Sequence, residues 1–210
     1  MLNWWKKRTA QTQKADAVYT AIVDQARHPG FYTTYNVPDT MYGRYELVVV
    51  HLFLVMERLR DADEATSDIA RRTLERFVED MDDCMREQGV SDTRVPKRVK
   101  QAASGFYDRS VMLRESLNAD DDNAVATYFA HVFGQGEGPA PAITAGVEPP
   151  ATPSHEAGKD GSAADPRHDV FIDALKRYTI AASAHIGKQT TDAIIESAPS
   201  FPDPADHLAL

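Results

Sequence analysis

The chain has 210 residues, a formal net charge of −9, and fractions of hydrophobic and charged residues, 42% and 26%, that are ordinary for a globular protein. A chain of this length can bury one sizeable core, and its acidic balance argues against nucleic-acid binding driven by net charge. Its single cysteine, Cys84, excludes a disulfide framework and a multi-cysteine zinc site, as expected in a reducing compartment. The most apolar run, 47–56, is far shorter than the about 20 residues that cross a bilayer, so we expect a soluble protein, at most peripheral to a membrane.

Apolar side chains recur with the period of an α-helix along most of the chain. They predict six helices, at residues 4–27, 41–60, 66–88, 95–117, 121–133 and 167–198. The second is ambiguous, because its β-branched run LVVVHLFLV also fits a buried strand, but its length favours a helix at the centre of a bundle. The sequence therefore predicts an all-α fold with a single bundle-like domain.

Turn residues separate the first two helices. Pro29 ends the first one, because proline disfavours helical geometry at the residue before it. Residues 31–40 are predicted to form an aromatic-rich connection, and either Asp39 or Thr40 can cap the helix that follows.

The composition changes abruptly after residue 133. Residues 134–166 hold six glycines and six prolines and hardly any large apolar side chain, which predicts a flexible linker. We therefore expect a helical core at 1–133, a C-terminal helix at 167–198 that packs on this core, and an irregular tail at 199–210.

Residues 82–109 show a local reversal of charge. Gly89 follows an acidic helical pattern and can supply the left-handed residue that ends a helix, and Pro96 suits the first turn of the next one. Four cations stand within seven residues there: Arg94, Lys97, Arg98 and Lys100. They form either a solvated helix face or a contact for a partner's acidic surface, for ribosomal RNA or for lipid phosphate. Cations are unfavourable beside the positive end of a helix dipole, which favours a role in partner binding.

Two long blocks carry a resemblance to a known family. The segment MREQGVSDTRVPKRVKQAASGFYDR, ending at Arg109, resembles the signature of the ubiquinol–cytochrome c chaperone family. Residues 29–60, PGFYTTYNVPDTMYGRYELVVVHLFLVMERLR, are similar to a second block of the same family. A weaker similarity covers 171–204, which corresponds to the family's closing helices and tail.

This resemblance implies an assembly chaperone for cytochrome b of the respiratory bc1 complex. Its partners would then be newly made cytochrome b, with a ribosome near its exit site, an anionic membrane surface and a second assembly factor as further candidates. Relatives in mitochondria work at the inner membrane, and this chain resembles a bacterial member that acts from the cytoplasm on the inner membrane. The alternative is a helical adaptor that binds a membrane or a ribosome and holds no client.

The residues themselves predict two further features of such a protein. Trp4 and Trp5, followed by Lys6, Lys7 and Arg8, resemble an interfacial membrane anchor, although the same segment fits an arm packed on the core or a disordered N-terminus. Seven aromatic residues lie in the two long blocks and form either core or an exposed groove for a client helix: Phe31, Tyr32, Tyr35, Tyr42, Tyr45, Phe106 and Tyr107. The helical period places the last two of them together on the core face of their helix.

Catalytic and cofactor motifs are absent from the sequence. His51 has no second ligand three or four residues away, which predicts a hydrogen-bonded core histidine rather than a metal or haem ligand. Cys84 falls on an apolar helical stripe, which predicts a buried, inert thiol. With no phosphate-binding loop, nucleophile elbow or zinc motif, the sequence predicts a non-enzyme without a metal or cofactor.

Overall fold

The computed structural model of the protein describes residues 2–60, 62–134 and 166–207. They form eight α-helices and one 3-10 helix: α1 (Leu2–Ala26), α2 (Pro29–Thr33), α3 (Met41–Leu59), α4 (Glu64–Glu87), α5 (Val95–Asn118), α6 (Ala124–Gly134), α7 (Pro166–Lys188), α8 (Thr191–Ser197) and the 3-10 turn Pro204–His207. No strand occurs in these ranges, and the all-α prediction is confirmed. The predicted linker, apart from its first and last residues, lies outside the described residues.

Helix α3 is the centre of the fold. Every residue from Tyr45 to Val55 is buried, and α1, α4, α5 and α7 pack around it. A helix that is apolar on all sides needs neighbours on all sides, so the run that also fitted a strand forms the central helix, as predicted.

The start of α3 is fixed by a cap and a close backbone approach. Thr40 Oγ1 accepts a hydrogen bond from the Gly43 backbone N–H at 3.1 Å, which confirms the predicted cap. A Cβ atom at Gly43 would lie 2.0 Å from the Pro38 carbonyl oxygen, so only glycine fits without a backbone shift. This close contact explains why the PDTMYG segment of the second block ends in glycine.

Two short helices depart from the sequence prediction. Part of the predicted connection forms α2, which begins with Pro29 and is capped by His28 Nδ1 through the Gly30 N–H at 3.1 Å. The single helix predicted at 167–198 is divided, because Thr190 caps α8 by accepting from the Ala193 N–H at 3.1 Å. Both differences arise from local caps, one in a predicted connection and one within a predicted helix.

The C-terminal tail closes the core over a buried histidine. Tyr35 donates to the Pro204 carbonyl at 2.6 Å, and the ring of Phe201 packs edge-on against His51 with centroids 5.1 Å apart. The His51 ring nitrogens lie 2.7 Å from the Leu47 carbonyl oxygen and 2.7 Å from the Tyr178 hydroxyl. Burial lowers the pKa of His51 to about 4, so the ring is neutral at physiological pH. The prediction of a hydrogen-bonded core histidine is confirmed.

The prediction for Cys84 is wrong in one respect. Its side chain is half-buried, whereas the neighbouring Met85 is fully buried and completes the apolar stripe of α4. Partial burial still raises the pKa of the Cys84 thiol, which leaves it protonated and poorly nucleophilic.

Candidate partner-binding surface

A glycine-centred turn separates α4 from α5. Gly89 has a φ of +76°, its N–H donates to the Arg86 carbonyl at 2.9 Å, and the Val90 N–H donates to the Met85 carbonyl at 3.1 Å. These two hydrogen bonds form a Schellman motif, in which a left-handed residue satisfies the last carbonyls of a helix. The predicted role of Gly89 is confirmed.

Helix α5 begins without a side-chain cap. The Ser91 carbonyl accepts from the Arg94 and Val95 N–H groups at 2.8 and 3.1 Å, and Pro96 is the second residue of the helix, as predicted for its first turn. Arg94 occupies the capping position, where its side chain accepts no hydrogen bond. The positive end of the α5 dipole therefore lies directly beside cationic side chains.

The predicted basic cluster lies at this helix start. Arg94, Lys97 and Lys100 are exposed, and none of the three has a carboxylate within 4.0 Å among the described residues. Arg98 is half-buried. Three cations thus project into solvent from a protein whose net charge is negative, and their binding to a partner stays a prediction.

The last turn of α4 shows the opposite arrangement. Arg86 forms an ion pair with Asp82 at 2.6 Å and a second with Asp92 in the turn. The charge of Arg86 is thus compensated within the chain, and Asp92 orients the guanidinium group. The turn therefore separates a neutralised arginine from Arg94, Lys97 and Lys100, which have no carboxylate within 4.0 Å among the described residues.

Farther along α5, a cation is buried against α3. Arg109 Nε lies 2.6 Å from Glu46 Oε2, and Glu46 is only 1% exposed. Tyr42 contributes its hydroxyl at 3.4 Å from the same guanidinium. Burial raises the pKa of the Glu46 carboxyl, against the lowering effect of Arg109. This pair fixes the register of α5 on α3.

The same interface joins the two sequence blocks that carry the family resemblance. The Tyr45 hydroxyl donates to the Ala102 carbonyl at 2.9 Å, and a Cβ atom at Gly105 would lie 3.2 Å from the Tyr45 oxygen. Glu46 and Arg109 also belong to one block each. These residues of the two blocks therefore serve the packing of α5 on α3 rather than contact with a client.

Six of the seven aromatic residues named above are buried or half-buried, which favours core for this set. The exception is Tyr107, whose side chain is 74% exposed. Its predicted place on the core face is wrong, because the buried stripe of α5 follows Val95, Ala102, Phe106 and Leu113 and leaves the residue after Phe106 turned away. Adjacent helical residues are separated by about 100°, so the two neighbouring aromatics face different sides.

Sequence reasoning also missed Val111, which is 42% exposed and lies one turn after Tyr107. The spacing of the buried positions, seven residues from Val95 to Ala102 and then three or four residues as far as Leu113, would have excluded both side chains from the core. The two apolar side chains therefore belong to the outer face of α5.

The predicted membrane-contact segment falls within α1. The structure gives its backbone as helical, whereas the side chains of Trp4, Trp5, Lys6, Lys7 and Arg8 lie outside the described residues, so their role stays a prediction. Within the described part of the chain, no helix has the length and apolarity required to cross a bilayer. The described side chains likewise include no group of three or more metal-ligating residues.

Comparisons with known proteins agree with this all-helical arrangement. The chain is similar to a crystal structure titled as the Cbp3 homolog from Brucella abortus, with 25% identity, a TM-score of 0.73 and 97% of each chain covered. No curated protein matches the chain. The model of the family described as ubiquinol-cytochrome C chaperone matches residues 33–201, a range that includes the α4–α5 turn, the α3–α5 interface and the closing tail as far as Phe201. The chain belongs to the ubiquinol-cytochrome C chaperone family.

Proposed function

We propose that the protein is an assembly chaperone of the ubiquinol–cytochrome c reductase (bc1) complex and that its client is newly made cytochrome b. The observation that carries the proposal is the family match over residues 33–201. Arg94, Lys97 and Lys100, which have no ion pair with any described residue, support a binding role, because a purely structural helix start would favour anions there. Neither this match nor the described residues indicate a catalytic site.

Deletion of the gene tests the proposal. We expect loss of assembled bc1 complex and of the haem spectrum of mature cytochrome b, with restoration by a plasmid copy of the wild-type gene. Another respiratory complex, measured in the same membranes, controls for general damage. Normal amounts of mature cytochrome b in the deletion strain would overturn the proposal.

A second candidate function is a helical adaptor that docks on a ribosome or an anionic membrane and holds no client. The specific observation in its favour is the exposure of Lys97 and Lys100 without ion pairs in the described part of the chain. Electrostatic docking weakens steeply with ionic strength, whereas contact with an apolar client persists. Co-sedimentation with ribosomes and with cytochrome b, each at low and high salt, distinguishes the two functions.

We also propose that the segment from Trp4 to Arg8 brings the chaperone to the membrane surface on which its client is inserted, at the cytoplasmic face of the inner membrane in a bacterium. Indole rings favour the headgroup region and cations are attracted to anionic lipid. Replacement of Trp4 and Trp5 by serine should reduce flotation with anionic vesicles and leave binding of cytochrome b peptides intact. Equal flotation of the variant and the wild type would remove this segment from the proposal.

A further inference from the structure

The large apolar side chains that are exposed in the described ranges lie on α5 and α7, and only those on α5 are neighbours. Four large apolar residues are strongly exposed in the described ranges: Tyr107, Val111, Val170 and Ile180. The first two stand four residues apart and are therefore neighbours on one helix face. Val170 and Ile180, ten residues apart on α7, are separated by about 15 Å along the helix and do not form a pair.

The two α5 side chains continue a line that starts at the basic cluster. Lys97, Lys100, Ser104, Tyr107 and Val111 are all exposed, and their spacing alternates between three and four residues. Such spacing places the five residues on one stripe of a helix. The α5 stripe, as we name these five residues, is about 21 Å long, the length of a partner helix of about 14 residues.

Charge gives the α5 stripe a direction. Lys97 and Lys100 stand at its first end, next to the positive end of the helix dipole. The exposed carboxylates of Asp108 and Glu115 lie close to the same line, beside the apolar pair and one turn beyond it. The face is therefore positive at one end and apolar in the middle, with one carboxylate beside the apolar pair and another at the far end.

This polarity distinguishes between classes of partner. An anionic bilayer or an RNA backbone is negative throughout and would be repelled by Asp108 and Glu115. A protein segment can instead place carboxylates opposite Lys97 and Lys100 and apolar side chains over Tyr107 and Val111. A buried aromatic anchor surrounded by polar contacts is the usual form of a protein-binding hot spot.

We infer that the α5 stripe binds an amphipathic segment of a partner protein, with the acidic end of that segment at Lys97 and Lys100 and its apolar side chains on Tyr107 and Val111. The inference rests on the proposed chaperone function for the identity of the partner, cytochrome b. It deepens that function by assigning a surface and a direction of binding.

The test uses the full-length protein and fluorescent peptides of about 15 residues, matched to the length of the stripe, that tile the aqueous loops and helix ends of the same organism's cytochrome b. Binding is measured by fluorescence anisotropy at low and high salt. Lys97→Glu with Lys100→Glu reverses the basic end, and Tyr107→Ala with Val111→Ala removes the apolar centre. Matched controls on α7 are Lys188→Glu for charge and Val170→Ala with Ile180→Ala for exposed apolar area.

We expect a binding peptide to carry carboxylates near one end and apolar residues in its middle. Charge reversal should weaken its Kd about tenfold at low salt and less at high salt, because screening removes the electrostatic part. Loss of the apolar pair should weaken the Kd about tenfold at either salt concentration. The α7 controls should bind as the wild type does.

Three results would overturn the inference: no peptide binds, the α7 controls weaken binding as much as the α5 variants do, or the α5 variants lose binding to phosphatidylglycerol vesicles and not to peptides. The gene deletion separates this failure from failure of the proposed function. If deletion abolishes the bc1 complex and no peptide depends on the α5 stripe, the chaperone function stands and the surface is wrong. If a peptide depends on the stripe and deletion leaves the bc1 complex intact, the surface stands and the cellular role is wrong.

Discussion

Positively charged side chains in the two halves of α5 have opposite environments. Arg109, in the second half of the helix, is largely buried and lies 2.6 Å from a carboxylate of α3. Lys97 and Lys100, in the first half, are exposed and have no carboxylate within ion-pair distance in the described residues. The same helix therefore carries one cation whose ion pair fixes the helix on α3, and two cations whose charge no described carboxylate balances.

The difference shows which charges the fold requires. A buried carboxylate that loses its partner is strongly destabilising, whereas an exposed cation contributes little to stability. Charge at the start of α5 can therefore change without loss of the fold, and the unfavourable position of these cations beside the helix dipole points to a role outside the fold. Substitutions at the two ends should separate stability from binding.

The largest effect is expected at the buried end. Arg109→Met keeps much of the side-chain length and leaves the buried Glu46 carboxyl without its partner, so that this group either stays charged and unpaired or takes up a proton. We expect the free energy of unfolding to fall by about 3–5 kcal/mol, the usual effect of removing one partner of a buried ion pair. Urea unfolding followed by circular dichroism measures the change.

Lys100→Met is the matched control, since it also replaces a cation of α5 by methionine. Its expected effect is within about 0.5 kcal/mol, as for most surface substitutions. Similar losses for the two variants would break the contrast between the ends of the helix.

A buried group away from α5 should give the next largest effect, through pH. The pKa of His51 falls from 6.5 to about 4 on folding, so the folded state prefers the neutral ring. Above pH 6.5 both states are neutral and the fold is unaffected; as the pH falls toward 4, only the unfolded state takes up the proton, and stability is lost. The loss over this window is roughly 3 kcal/mol.

The control for this prediction is His51→Gln, which does not titrate and retains hydrogen-bonding groups. We expect the variant to be less stable than the wild type at neutral pH but to lose less stability on acidification. Urea midpoints measured across the window give both slopes. Parallel slopes would show that another group, and not His51, controls the acid response.

Much of the fold could be predicted from local signals. Gly89 and Pro96 are informative because each imposes a backbone conformation within a few residues of itself, and both predictions are confirmed. The length of the run around His51 similarly favoured a helix over a strand. Caps at Thr190 and at His28 are weaker signals, because Thr and His occur in many other settings, and the two short helices were missed.

The candidate surface depended on contacts between distant residues. Nothing near Arg109 in the sequence indicates that its partner stands 63 positions away on α3. The adjacent rings of Phe106 and Tyr107 looked equivalent until packing against α4 and α6 selected one face of α5. Sequence therefore indicated the basic cluster, and only the tertiary structure distinguished Lys97 and Lys100, which have no ion pair among the described residues, from the paired Arg109.

Glu46→Gln sharpens the comparison from the other side of the buried pair. It leaves a neutral amide buried and an arginine that is still partly exposed, so water can solvate the guanidinium. We therefore expect a loss of about 1–3 kcal/mol, smaller than the loss for Arg109→Met. A loss as large as that of Arg109→Met would show that an unpaired Arg109 destabilises the fold as much as an unpaired Glu46.

The smallest effect, and the one with opposite sign, is expected at Lys97. This residue is the third of α5, close to unsatisfied N–H groups and to the positive end of the dipole. Lys97→Glu should raise the free energy of unfolding by about 0.3–1 kcal/mol, whereas Lys100→Glu, beyond the first turn, should leave it almost unchanged. Thermal unfolding at low salt measures both. A gain in stability together with weaker peptide binding would mean that lysine at position 97 serves the partner at the expense of stability. A loss of stability would instead give this lysine a structural role and would contradict the difference between Lys97 and Arg109 on which the α5 stripe depends.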